Sequence, residues 1–196
     1  MSDMTPSAVP EPGERFWRVF DRADHWLLQG ERVGFGLAGA AILVTFLVMI
    51  GGVFSRPWTG YLFSVGVEGG KMGLWIMGYM PAAYIWRHYG HVRFDLVLRG
   101  VSFRAAQRIE VANCILGFIL ACLMTWSAWQ SYWDVYIAKT RTLTLHFEYW
   151  PLFWVSVAGA GLLAIEVLFA GVRHWRESRY PTGKNPAPWD MPTEAL

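Results

Sequence analysis

Two histidines and three arginines crowd into fifteen residues, WRHYGHVRFDLVLRG, at positions 86–100. Clustered imidazoles could hold a metal or a haem iron, and clustered guanidiniums could meet phosphate on nucleic acid or on lipid. Two acids lie at or inside long apolar runs, Glu68 at the start of one and Glu166 within another. A carboxylate in an apolar run is costly enough to be a candidate functional group. Glu166 also stands near Arg173, so it could pair there, pair with loop arginines, contact another subunit or stay protonated.

Which of these chemistries applies depends on the elements that carry the residues. Apolar types make up 54% of the 196 residues and charged types 16%, against about 25% charged in an average soluble domain. Three runs are long enough to cross a bilayer as helices: 33–54, 111–133, and 149–172, which only Glu166 interrupts. About 20 apolar residues suffice for a crossing, because a helix satisfies its own backbone hydrogen bonds. A fourth span is expected over 66–86. It includes Glu68 and Lys71, three residues apart, which can pair or reach the interface. Pro81 should kink it, since proline removes a backbone donor.

The distribution of Lys and Arg then sets an orientation. Counting Lys71, at the start of the 66–86 span, with the connection before it, the segments before, between and after the spans carry four, two, five, two and four of these residues in order. The heavier set, 13 against 4, belongs in the cytoplasm, so both termini are expected there. Trp58, Trp86, Trp133, Trp150 and Trp175 fall near span ends, where an indole ring favours the headgroup layer. The expected fold is an all-α integral membrane protein with four transmembrane helices in a domain over 14–178. Tails at 1–13 and 179–196, rich in Pro and polar residues, are expected to be disordered. The first thirteen residues lack the basic start and apolar core of a secretory signal.

Two further helices are expected to lie along the inner surface. In 14–32, Phe16, Phe20, Ala23 and Leu27 recur at helical spacing, with Arg15, Arg18, Asp21 and Arg22 turned elsewhere. A soluble helix packing on the cytoplasmic loop is the alternative for this segment. In 91–100, His91, Asp95 and Arg99 form a column four apart, on another side from an apolar series of Phe94, Val97, Leu98 and Val101. Ser102 suits the N-cap of the helix that leads into the third span.

These placements answer the opening question. Axial haem ligands must face a bundle centre, yet His25, His88, His91, His146 and His174 all lie outside the uncharged runs or at their margins. Cys114 and Cys122 are eight apart in one run, about 12 Å along a helix, too far to bridge. They read as small packing residues. A net charge of +2 argues against nucleic acid. No nucleophile–base pair, metal set or phosphate loop appears, so neither an enzyme nor a bound cofactor is expected. The basic stretch is read as the cytoplasmic exit of a membrane helix, its cations near anionic lipid.

Residues 68–102, EGGKMGLWIMGYMPAAYIWRHYGHVRFDLVLRGVS, also resemble the DctQ-type small membrane subunits of TRAP (tripartite ATP-independent periplasmic) transporters. Glu68, Arg87, Gly90, His91, Val92, Arg93, Asp95 and Leu96 follow that family's pattern in order. LTLHFEYWPLFWVSVAGAGLLAIEVL resembles the family's fourth span, and the likeness covers roughly residues 25–178. A departure is Glu68-Gly69, where the family often has two adjacent acids.

The resemblance implies a scaffold subunit of the bacterial inner membrane with no substrate chemistry of its own. Such a subunit packs against a large DctM-type subunit that carries sodium and substrate sites, and a periplasmic binding protein delivers an organic acid. It marks Glu68, Arg87, His91, Arg93 and Asp95 as motif residues, beside Glu166 as a buried polar or inter-subunit contact. The alternative is a membrane anchor or cytochrome-like subunit of an oxidoreductase. Small residues four apart, Gly36/Ala40, Gly78/Ala82, Gly117/Ala121 and Ser156/Ala160/Ala164, mark packing faces toward a sibling helix or a partner.

Overall fold

The computed structural model describes residues 14–55, 57, 60–88, 103–142 and 146–179. Five helices account for nearly all of them: α1 (Glu14–Ser55), α2 (Gly60–Tyr79), α3 (Ala82–Arg87), α4 (Phe103–Ala138) and α5 (Trp150–Arg179). The only β pairing among the described residues is an isolated bridge between Arg141 and Glu148 in the α4–α5 connection. The interfacial helix expected over 91–100 and the Ser102 cap lie outside the described residues.

α1, α4 and α5 are each long and apolar enough to cross a membrane. The region where a further span is expected, 66–86, is helical as α2 followed by α3, with the break at Pro81. Met80 N–H still donates to Ile76 O at 3.0 Å, and Ile85 N–H reaches back to Pro81 O at 2.9 Å. The proline therefore costs one donor without opening a long gap in the ladder.

α1 pairs with α2 and α4 pairs with α5, while α3 and the far end of α2 join the two halves by packing on α5. The interior is built from small side chains: Ala38, Ala83, Ala106, Ala121, Ala160 and Ala164 are buried. Large ones, such as Leu43 and Phe46 on α1 or Ile115 and Leu123 on α4, are exposed. A water-soluble fold could not leave so much apolar surface bare, whereas lipid accepts it and rewards close backbone approach instead. Such approach is visible at Gly73, where a Cβ would lie 1.7 Å from Thr45 Oγ1.

Three expectations are modified. Residues 14–32 form no separate helix; they are the first half of α1, a continuous 42-residue element. Its packing face is also rotated from the expected one. Trp17, Asp24, Glu31 and Ala38, seven apart and so nearly in line on a helix, turn inward, while Phe16 is 63% exposed. Acids turn inward there because guanidiniums of α3 and α5 stand opposite. Trp86, expected near the headgroups, is partly buried and packs against the cluster of Cys114, Val167 and Ala170.

Of the small-residue pairs, Ser156, Ala160 and Ala164 face the interior, and Gly117 abuts the Trp86 ring. Gly36 faces open space, and Gly34 on the next face approaches the Met80 carbonyl.

Candidate functional site

Three helices bring five charged side chains to one point. α1 supplies Asp24 and Glu31, α3 ends on Arg87, and α5 supplies Glu166 and Arg173. Asp24 and Glu31 are seven residues apart, as are Glu166 and Arg173, so each pair lies on one helix face. The break at Pro81 starts the short helix that sets Arg87 between them.

Arg87 is the centre. Its Nη2 donates to Asp24 Oδ1 at 2.8 Å and to Glu166 Oε2 at 2.9 Å, and Nη1 reaches Asp24 Oδ2 at 3.3 Å. Its Nε lies 2.8 Å from Glu31 Oε2, close as an ion pair but not aligned as a hydrogen bond. Arg173 pairs with Asp24 through Nη1 and with Glu166 through Nη2. Asp24 and Glu166 therefore each bridge both guanidiniums. Glu31 and Glu166 are wholly buried, and the Arg87 side chain is 12% exposed.

Only arginine presents several fixed donors in one plane, which suits a hub with three carboxylate neighbours. Desolvating any one of these ions alone would be expensive, and the mutual pairing offsets that cost. The arrangement joins α1, α3 and α5 by charge.

A second polar layer lies on the same end of the bundle. His174 Nδ1 and Gln107 Oε1, both on buried side chains, are 2.6 Å apart and link α5 to α4. Arg176 donates to Asp21 at 3.2 Å, and its guanidinium lies 4.5 Å from the Trp17 ring centroid. Phe20 stacks on Phe169 at 4.8 Å. The N-terminal half of α1 is thus held to the last turns of α5 by charge, cation–π and ring contacts. Toward the other end, the Trp75 indole N–H donates to the buried Ser156 hydroxyl, joining α2 to α5.

Of the residues singled out in the sequence, Arg87 and Glu166 meet. Glu68 precedes Arg87 by 19 positions on the α2–α3 segment, about 28 Å along a straight helix, and takes no part in the network. His91, Arg93 and Asp95 lie outside the described residues. The acidic partners Asp24 and Glu31 were not anticipated; their spacing of seven, shared with Trp17 and Ala38, was the available signal. Among the described residues no group of three or more His, Cys, Asp or Glu side chains is arranged to hold a metal ion. Cys114 is buried and Cys122 exposed, and the two are not joined in a disulfide.

The fold and this cluster define a helical, membrane-crossing protein whose interior charges are paired with one another. Residues 45–179 match the family described as the DctQ component of tripartite ATP-independent periplasmic transporters, and the chain belongs to that family. No curated protein and no solved structure matches it. Membership selects the transporter class over the oxidoreductase anchor. The matched region contains Arg87, Glu166 and Arg173, while Asp24 and Glu31 precede it.

Proposed function

We propose that this chain is the small scaffold subunit of a TRAP-type secondary transporter. It crosses the bacterial inner membrane four times, with α2 and α3 together forming the second span and both termini in the cytoplasm. Its partner is a large DctM-type subunit that carries the sodium and substrate sites. A periplasmic binding protein delivers an organic acid to the pair.

The observation that carries this reading is the pairing of Glu166 with both Arg87 and Arg173. The acid within a span is engaged in joining helices, which favours a scaffold over a free-standing permease with a polar pathway of its own. The 13-to-4 bias of basic residues supports the orientation, and the exposed apolar faces of α1 and α4 leave room for a large neighbour.

Affinity purification from native membranes tests the proposal. A much larger polytopic protein is expected to accompany the chain as a stable heterodimer, with reporters at both termini reading cytoplasmic. Substrate uptake by this chain alone in liposomes would overturn it.

A further inference from the structure

Away from the charge network, α4 and α5 leave two adjoining recesses on their outer side. One is a polar cavity of about 390 Å³ between the start of α4 and the end of α5, lined by Arg108, Val111, Trp175, Ser178 and Arg179. The other is an apolar groove of about 240 Å³ that runs on along the two helices past Cys114, Ile115, Phe118, Leu168 and Gly171. Val111 and Trp175 line both, so the polar recess opens directly into the apolar one.

The chemistry changes at the level where a membrane changes. Val111 begins the uncharged run of α4, and Trp175 and Arg179 follow the apolar run of α5. Arg108 and Arg179 therefore stand at headgroup depth, and the groove lies at acyl-chain depth. Among the described residues neither arginine has a carboxylate partner; Arg179 instead lies 5.4 Å from the Trp175 ring centroid. Ile115 and Leu168, on the groove walls, are 59% and 49% exposed, so the groove opens sideways, toward lipid. Two guanidiniums without a carboxylate partner among the described residues, beside an indole and above a laterally open apolar slot, match one molecule with an anionic phosphate head and a hydrocarbon tail.

The geometry points to a binding site for one anionic phospholipid, its phosphate held by Arg108 and Arg179 and an acyl chain lying in the groove between α4 and α5. The site rests on membrane residence alone and not on the proposed orientation.

Native mass spectrometry of the full chain, purified in detergent and freed of lipid, tests the site without any large subunit. Its outcome is therefore separable from that of the scaffold proposal. When the two lipids are added back in equal amounts, phosphatidylglycerol is expected to be bound and retained in preference to phosphatidylethanolamine. The double substitution Arg108→Gln/Arg179→Gln should lower that retention on the order of tenfold, each arginine near a lipid phosphate contributing a few-fold. Ile115→Trp, which fills the groove and leaves both arginines, should also lower retention of the diacyl lipid. All three positions are exposed and lie outside the charge network, so unchanged thermal melting is expected and serves as the folding control. Undiminished phosphatidylglycerol retention in either variant would overturn the site. So would glycerol phosphate competing as well as the whole lipid, which would mark a site for free phosphate.

Discussion

Arg87 and Glu166 are 79 residues apart in the chain, yet their side chains meet at 2.9 Å in the bundle interior. Arg87 also touches Asp24 and Glu31, so one guanidinium faces three carboxylates from two helices. Removing it leaves Glu31 and Glu166 buried with much of their compensation gone.

Arg87→Gln is therefore expected to be the most damaging single change in the network. Breaking a buried pair from one side costs about 3–5 kcal/mol, because the remaining ion stays desolvated. A lower melting temperature in detergent, or loss of folded protein from the membrane, is the expected readout. Arg87→Lys should rescue only part of the loss, since an ammonium cannot address three carboxylates through a planar fork. Wild-type stability in Arg87→Gln would show that the network does not hold the helices.

Glu166→Gln asks whether the same acid couples transport. It keeps the shape and one acceptor, so the chain should fold with reduced stability. Combined with Arg173→Gln, it should give a coupling energy of about 0.5–3 kcal/mol in a double-mutant cycle. In the proposed assembly with a large sodium-coupled subunit, the sodium dependence of uptake should persist, because Glu166 pairs with Arg87 and Arg173 to hold helix position. Loss of sodium dependence in a variant that still transports would assign Glu166 to coupling.

The site was half legible in the sequence. Glu166 declared itself because an acid stands alone in an apolar run, and Arg87 because it closes one. Asp24 and Glu31 did not, because they sit among Arg22, His25 and Arg32, where charges look like a solvated face. Only the docking of α1 against α3 and α5 tells which side of that helix is inside. The same limit explains Trp86. Its position near a span end suited the headgroup layer, and its burial depends on Gly117 of a distant helix making room for the ring. The three long apolar helices and the Pro81 break were readable because hydropathy and missing donors act locally.

The α4–α5 connection offers a pH test. Glu148 accepts hydrogen bonds from Arg141 at 3.0 Å and from the Trp150 indole at 2.9 Å. The Arg141 bond, then the Trp150 bond, hold its carboxyl below the ordinary value of 4.5. A depressed folded-state value means that the stabilisation is complete above the ordinary value and is lost as pH falls through the depressed one. Trp150 fluorescence and amide exchange in this loop should thus stay constant from neutral pH down to the ordinary carboxylate range, then change below it. Glu148→Gln should abolish that acid transition while leaving the bundle intact. An unaltered transition in the variant would place its origin elsewhere.

Gly159 tests how closely α5 approaches α2. A Cβ at this position would lie 2.7 Å from the Tyr79 carbonyl oxygen and 2.8 Å from its carbon, and backbone cannot swing aside as a side chain can. Gly159→Ala should therefore force the helices apart, at a cost of about 1–3 kcal/mol of the kind that overpacking brings. The nearby Trp75–Ser156 hydrogen bond should weaken with it, since it spans the same helix pair. Gly36→Ala supplies the contrast: nothing lies within 4 Å of a Cβ there, so the melting temperature of the isolated chain should hold or rise slightly. Thermal melting of the two variants side by side in one detergent decides the matter. Equal stability would mean that the α2–α5 contact is looser than these distances require.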